Sequence, residues 1–323
     1  MNMSEPTQFR AEGLRGQMLR DEPMSRHVSW RAGGTAQCLY QPADLADLQQ
    51  FLRQIPAAEP LLAVGLGSNL LVRDGGFRGT VLLLVGALNG LRLEGGTIYA
   101  QAGVAGAKLA RFAAANNLCG AEFLVGIPGT LGGMLAMNAG CYGGQTWNAV
   151  QRVQVLTRRG ELIERTPQEY EIGYRHVVKR ETGNVKRGEQ DTFHLSPFTF
   201  HEQEFFVGAW LHFEPGDVET ARQQIKSLLE KRSASQPLQL PNCGSVFRNP
   251  PGGHAAKLIE ACGLKGRTIG GAQVSEKHAN FIVNVGGATA ADIEGLINEV
   301  RVTVLRQTGI ELHPEVKIVG EHK

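Results

Sequence analysis

Residues 126–144 read GIPGTLGGMLAMNAGCYGG, seven glycines in nineteen positions, set among small apolar side chains. The run is too apolar for a flexible linker. It is also too rich in glycine for an ordinary helix or strand, since glycine inside an element costs about 0.5–1 kcal/mol relative to alanine. Such density predicts a backbone that approaches something closely or visits positive φ. Asn138 is the one polar side chain that interrupts the middle of the run. A ligand here would therefore be read mainly by backbone N–H groups, as large, flat or phosphorylated ligands are. A tight crossover under a sheet is the competing reading, and it would win for one glycine pair. At this density a cofactor cradle is the better one.

A chain of 323 residues is long enough for two or three domains and a sizeable core. Its 42% apolar and 20% charged content fits an ordinary globular protein, and a net charge of +2 makes no case for nucleic acid. Apolar stretches such as 80–85 are too short to span a bilayer. Residues 1–13 mix both charges and carry no apolar signal core. No membrane or nucleic-acid partner is expected, and the location expected is cytoplasmic. The five cysteines (38, 119, 141, 243 and 262) are scattered without CxxC spacing, so they read as small buried or half-buried residues. The histidines form no HExxH, and His194 and His201 stand alone among phenylalanines. No metal is expected.

Hydrophobic patterning predicts strands over 61–64, 80–85, 98–102 and 205–213, and a hairpin from 153–157 and 162–165. Helices are predicted over 104–118 and 218–232, then over 254–262, stopped by Gly263. An extended segment is expected over 236–241 and a strand over 280–285. A final helix follows the cap at 289–292 and ends before Gly309, and strand 315–319 closes the chain. The charged stretch 178–191 reads as an exposed insertion. A boundary near 214–217 separates a strand-rich part from an α+β part.

No GxGxxG follows a predicted strand and no GxxxxGK[ST] occurs, so the common dinucleotide and P-loop folds lack support. GLGSNLL (65–71), after the 61–64 strand, has the ingredients of a phosphate nest, with Ser68 and Asn69 as polar contacts. Two glycine-rich stretches suit a long dinucleotide cofactor lying across two subdomains. In PNCGSVFRNPPGG (241–253), Ser245 lies in a turn-rich segment without the GxSxG of a hydrolase. Arg248 and Asn249 beside it could bind phosphate or sugar hydroxyls. Arg175 could clamp a carboxylate. By themselves, Arg175 reads as a surface ion-pair residue and Glu315 as a solvated strand end.

Taken together and in order, SWRAGGTA (29–36), the two glycine-rich stretches, Tyr174–Arg175, GSVFRNP (244–250) and PEVKIVG (314–320) resemble the UDP-N-acetylenolpyruvoylglucosamine reductase family, type II. The resemblance implies an α+β fold, a two-lobed FAD-binding domain of the vanillyl-alcohol-oxidase/PCMH type plus a C-terminal α+β substrate-binding domain. The implied divisions are 1–26, 27–85, 86–215 and 216–323. It assigns FAD to Gly65, Gly67, Ser68, Asn69 and Leu70 and to Gly126, Ile127, Pro128, Gly129, Thr130, Gly132, Gly133, Asn138 and Gly140. Substrate contacts fall to Tyr174, Arg248, Asn249 and Lys317.

The implied reaction is reduction of a nucleotide-sugar enolpyruvyl ether by NADPH through the flavin. Ser245 would donate the proton, while Arg175 and Glu315 stabilise the enolate. A monomer is expected. The chain departs from the family pattern at Val177, where a hydroxyl residue is usual, and in the length of 178–191. Another FAD-dependent oxidoreductase of the same fold is one alternative, although 65–79 lacks the histidine that would hold flavin covalently. A non-catalytic nucleotide-sugar-binding protein is the other.

Overall fold

The structure, a computed structural model, describes residues 12–180 and 204–323. His194, His201 and positions 181–191 of the charged insertion lie outside the described residues.

The first lobe is a four-stranded sheet in the order Gln17–Pro23, Thr35–Gln41, Phe77–Leu83, Leu61–Val64. The first pair is antiparallel and the other two are parallel. Parallel neighbours need crossovers. One is the helix Leu45–Gln54, which begins where the Asp44 carboxylate accepts the Asp47 N–H at 2.9 Å. Its buried face is Leu48, Phe51 and Leu52, at i, i+3 and i+4. Residues 17–23 belong to this sheet, so the expected separate segment 1–26 is, in its described part, an edge of the first lobe.

The second lobe is a five-stranded antiparallel sheet in the order Leu162–Arg165, Val150–Thr157, Glu204–Leu211, Thr97–Gln101, Leu91–Glu94. The predicted 153–157/162–165 hairpin forms, with Leu156 opposite Leu162. The predicted helix over 104–118 is shorter, Gly106–Ala115, and Asn117 just beyond it takes φ 57°.

The glycine-rich run overturns one expectation, because it contains a short helix, Leu131–Ala136. Leu131, Met134 and Leu135 are buried in the core of the lobe. The helix entry is held by the Leu131 N–H on Val104 O (2.8 Å) and the Gly132 N–H on Ala102 O (2.9 Å). A Cβ on Gly132 would lie 3.0 Å from the Ala102 Cβ. Close tertiary packing here outweighs the poor helix propensity of glycine.

The boundary also moves. Helix Val218–Ser235 buries Ala221, Ile225 and Leu228 in the second lobe's core, so the change of packing comes after this helix and not near 214–217. Residues 238–240 form a turn, with the Leu240 N–H on Pro237 O at 3.3 Å, where an extended segment was expected.

The C-terminal part packs helices Ala255–Ala261 and Ala290–Thr308 with a three-stranded antiparallel sheet, Thr268–Ile269, Ala272–Val274 and Ile282–Asn284. Helix Ala290–Thr308 opens on a Thr289/Asp292 capping box and ends at Gly309, φ 72°. Strand Lys317–Val319 then pairs in parallel with Leu70–Val72 of the first lobe. Around that joint the Trp30 indole donates to Ile282 O (2.7 Å), Arg73 pairs with Glu294 (2.8 Å), and the Asp74 carboxylate accepts the N–H groups of Ala290 and Ala291. Among the described residues, no helix is long and apolar enough to cross a membrane.

Candidate active site

A cavity of about 310 Å³ lies where the two lobes meet the C-terminal part. That is within the size range of small-molecule sites. Its walls include 65–70, 126–130, Gly133, Gly140 and Cys141, then Arg175, Gln236, Cys243, Ser245, Phe281, Glu315 and Lys317. All three expected catalytic residues and most of the expected FAD contacts thus border one space. Gly132, Asn138, Tyr174, Arg248 and Asn249 are not among the residues that line it.

The glycines that border the cavity do two different jobs. A Cβ on Gly133 would meet no protein atom within 4 Å, and one on Gly129 would meet only Ser68 Oγ, at 3.4 Å. These positions leave room for a ligand. By contrast, a Cβ on Gly65 would fall 2.1 Å from Thr130 Oγ1, so this glycine lets the two cradles touch. Gly67 has φ 57°, and its Cβ would strike the His27 carbonyl at 2.1 Å. Two backbone cradles bordering one cleft, 65–69 and 126–130 with Gly133, are of a kind that fits an extended dinucleotide. Lys317 adds a cation. Burial pushes its ammonium pKa down, and among the described residues no carboxylate is paired with it.

Arg175 sits at the tip of the hairpin Tyr170–Gly173/His176–Lys179, in a two-residue turn, at φ 55°. A non-glycine residue there is strained, and such strain collects at functional sites. Asn138 helps to hold this hairpin, donating from Nδ2 to Gly173 O (3.1 Å) and to Gln145 Oε1 (3.0 Å) while accepting the Trp147 N–H (3.2 Å). Its side chain braces the hairpin. Val177 packs toward the second lobe's core and pairs with Ile172.

Glu315 is buried, at 9% exposure, against the expectation of a solvated strand end. Arg175 makes an ion pair with it, and the Tyr174 side chain lies within its electrostatic reach. Burial pushes its carboxyl pKa up, while the charges of Arg175 and Arg248 and the Tyr174 side chain pull it back. Ser245 follows Gly244 (φ 74°) and is joined to the Glu315 segment, just ahead of strand Lys317–Val319, through one residue, since the Glu315 N–H donates to Val246 O at 2.7 Å. Asn249 accepts the Ala255 N–H (3.0 Å) at the start of a helix, which engages its carboxamide oxygen.

Two thiols that bland spacing left unassigned also border the cavity. Burial raises the Cys141 thiol pKa to about 11 and that of Cys243 to about 12, which keeps both protonated. Arg232, near Cys141 and Tyr142, donates to Val125 O and Gln236 Oε1. No motif marks Gln236 or Arg232 in the sequence; helix Val218–Ser235 packing on the second lobe brings them there.

Comparison with known proteins agrees with this layout. The family described as "FAD binding domain" matches residues 36–166, and "UDP-N-acetylenolpyruvoylglucosamine reductase, C-terminal domain" matches 236–319. The UDP-N-acetylenolpyruvoylglucosamine reductase of Thiobacillus denitrificans is 56% identical over 96% of this chain and 94% of its own. That of Methylococcus capsulatus is 53% identical over 99% of both. The crystal structure of the Thermus caldophilus enzyme superimposes with a TM-score of 0.74 at 28% identity, covering 94% of this chain and 99% of that one. A two-lobed FAD-binding domain and a matching C-terminal domain, with identity sustained along the chain, identify an oxidoreductase that belongs to the UDP-N-acetylenolpyruvoylglucosamine reductase family.

Proposed function

We propose that the chain reduces UDP-N-acetylglucosamine enolpyruvate to UDP-N-acetylmuramate for peptidoglycan precursor synthesis, with NADPH as reductant. The observation that carries this reading is the meeting of Arg175, Ser245 and Glu315 around one cavity that is also lined by two glycine cradles. When bound, FAD supplies the means to take a hydride from NADPH and deliver it to the terminal carbon of the enolpyruvyl double bond.

The protein's own residues do the rest. Negative charge grows on the adjacent carbon and spreads into the substrate carboxylate. The Arg175 guanidinium, with its planar fork, binds that carboxylate and stabilises the charge. Glu315, once protonated, donates a hydrogen bond to the same group. The Ser245 hydroxyl gives its proton to the carbon, a step open to a weak acid because the carbanion is a strong base. Lys317 and Arg248 offer positive charge to anionic parts of the ligands.

The test is an anaerobic mixture of FAD-loaded protein with NADPH, followed by the enolpyruvyl nucleotide. Yellow absorbance should fall on the first addition and return only on the second. Return with oxygen alone, and not with the nucleotide sugar, would point instead to a flavin oxidase.

A further inference from the structure

Ser245 lies in a stretch without regular secondary structure, so something else must fix it. Three hydrogen bonds on its two following residues come from one residue, Asn280. The Val246 N–H donates to the Asn280 backbone carbonyl at 2.8 Å. The Phe247 N–H donates to Asn280 Oδ1 at 2.9 Å, and Asn280 Nδ2 donates to Phe247 O at 2.8 Å. The carboxamide thus serves Phe247 as a neighbouring strand would, offering one donor and one acceptor in fixed geometry. Asn280 is 4% exposed and Phe247 2%, so water cannot replace these bonds.

On the other side of the same segment, the Val246 carbonyl accepts the Glu315 N–H at 2.7 Å, and Phe247 forms a bridge with Pro314. The segment is therefore held between Asn280 and the residues that carry Glu315. Phe281, next to Asn280, borders the cavity itself.

We propose that Asn280 is a positioning residue that sets where the Ser245 hydroxyl stands relative to Glu315, an inference that rests on the function proposed above. It does not touch the reacting atoms. Freed from the Asn280 carboxamide, Phe247 and the 245–247 backbone with it can shift about the remaining Val246 bond, and proton transfer needs the donor within about 2.6–3.2 Å of its target. A misplacement of about 1 Å can slow chemistry on the order of 100-fold. The earlier hydride transfer from NADPH does not need Ser245.

The experiment measures both half-reactions in FAD-loaded Asn280→Ala and Asn280→Asp. The second variant is nearly isosteric and keeps an acceptor for the Phe247 N–H, so a folded protein is at hand if alanine fails. The expected result is loss of yellow absorbance with NADPH at a rate within about 2-fold of the parent. Its return with the enolpyruvyl nucleotide should slow on the order of 10–100-fold, and more for alanine, with nucleotide affinity nearly kept. Return at the parent rate in a folded variant overturns the proposal. So does a parallel fall of both half-reactions with FAD loss or melting temperature, which is the mark of a purely structural role. Should the parent protein itself not regain its colour with the nucleotide, the proposed function falls instead.

Discussion

Arg175 and Glu315 form an ion pair, and a substrate carboxylate arriving at Arg175 makes two carboxylates for one guanidinium. Like charges so close disfavour joint ionisation, so Glu315 should take up a proton as the substrate binds. Burial already raises its pKa above the ordinary value of 4.5 in the free protein, with Tyr174, Arg175 and Arg248 facing it and Lys317 two residues along. The sign follows. Below the free-protein pKa the proton is present in both states, and above the complex pKa it is absent from both. Between the two, affinity for the enolpyruvyl nucleotide should fall as pH rises, by up to about tenfold per unit. NADP⁺ brings no carboxylate and should show no such uptake; calorimetry in buffers of different ionisation enthalpy measures both. Ser245→Ala should leave the NADPH step nearly intact and slow the second step by orders of magnitude, as stopped-flow absorbance would show. Equal losses in both steps would remove Ser245 from the proton-donor role. Single residues were the least legible part of the sequence. Glu315 looks solvated in LHPEVKIVG because the Arg175 hairpin and the 244–247 segment that bury it lie far away along the chain.

At the scale of elements, the cradle separates folding from binding. Gly133→Ala places its Cβ in empty space within a helix, where alanine is favoured by up to about 1 kcal/mol. The FAD-free protein should melt no lower than the parent, yet bind FAD at least about tenfold more weakly, roughly 1.4 kcal/mol. Gly65→Ala should do the reverse first, because its Cβ collides with Thr130 and costs about 1–3 kcal/mol of stability before any ligand is added. Thermal melts and flavin titration of the two variants check the contrast. Periodicity found strands such as Leu61–Val64 and Glu204–Leu211 and the two longest helices to within a few residues, but not strands Gln17–Pro23 and Thr35–Gln41, the Tyr170–Gly173/His176–Lys179 hairpin or helix Leu45–Gln54. It missed the helix Leu131–Ala136, since glycine content speaks against a helix that neighbouring carbonyls at Ala102 and Val104 nevertheless hold in place. It also put the boundary ahead of helix Val218–Ser235, because an amphipathic pattern reveals a buried face but not which core receives it.

Across the whole molecule, the first lobe and the C-terminal part are joined by strand pairing, the Trp30 indole, the Asp74 caps and the Arg73–Glu294 ion pair. Arg73 grips Glu294 through both Nε and Nη2, and both side chains are mostly buried. Arg73→Ala should therefore cost about 2 kcal/mol, seen as a lower urea midpoint with an unchanged slope. The family resemblance made the two-part plan legible in advance, whereas the joint itself has no motif because it is made of single contacts between distant segments. The parallel pairing of Lys317–Val319 with Leu70–Val72 joins segments that lie far apart along the chain. Glu315, just before that strand, takes its place beside the Arg175 hairpin only once this long-range register has formed, and contacts of that kind are the slow ones in folding. The pocket is thus an acquisition of the late, cooperative stage of folding, beyond the reach of either lobe on its own.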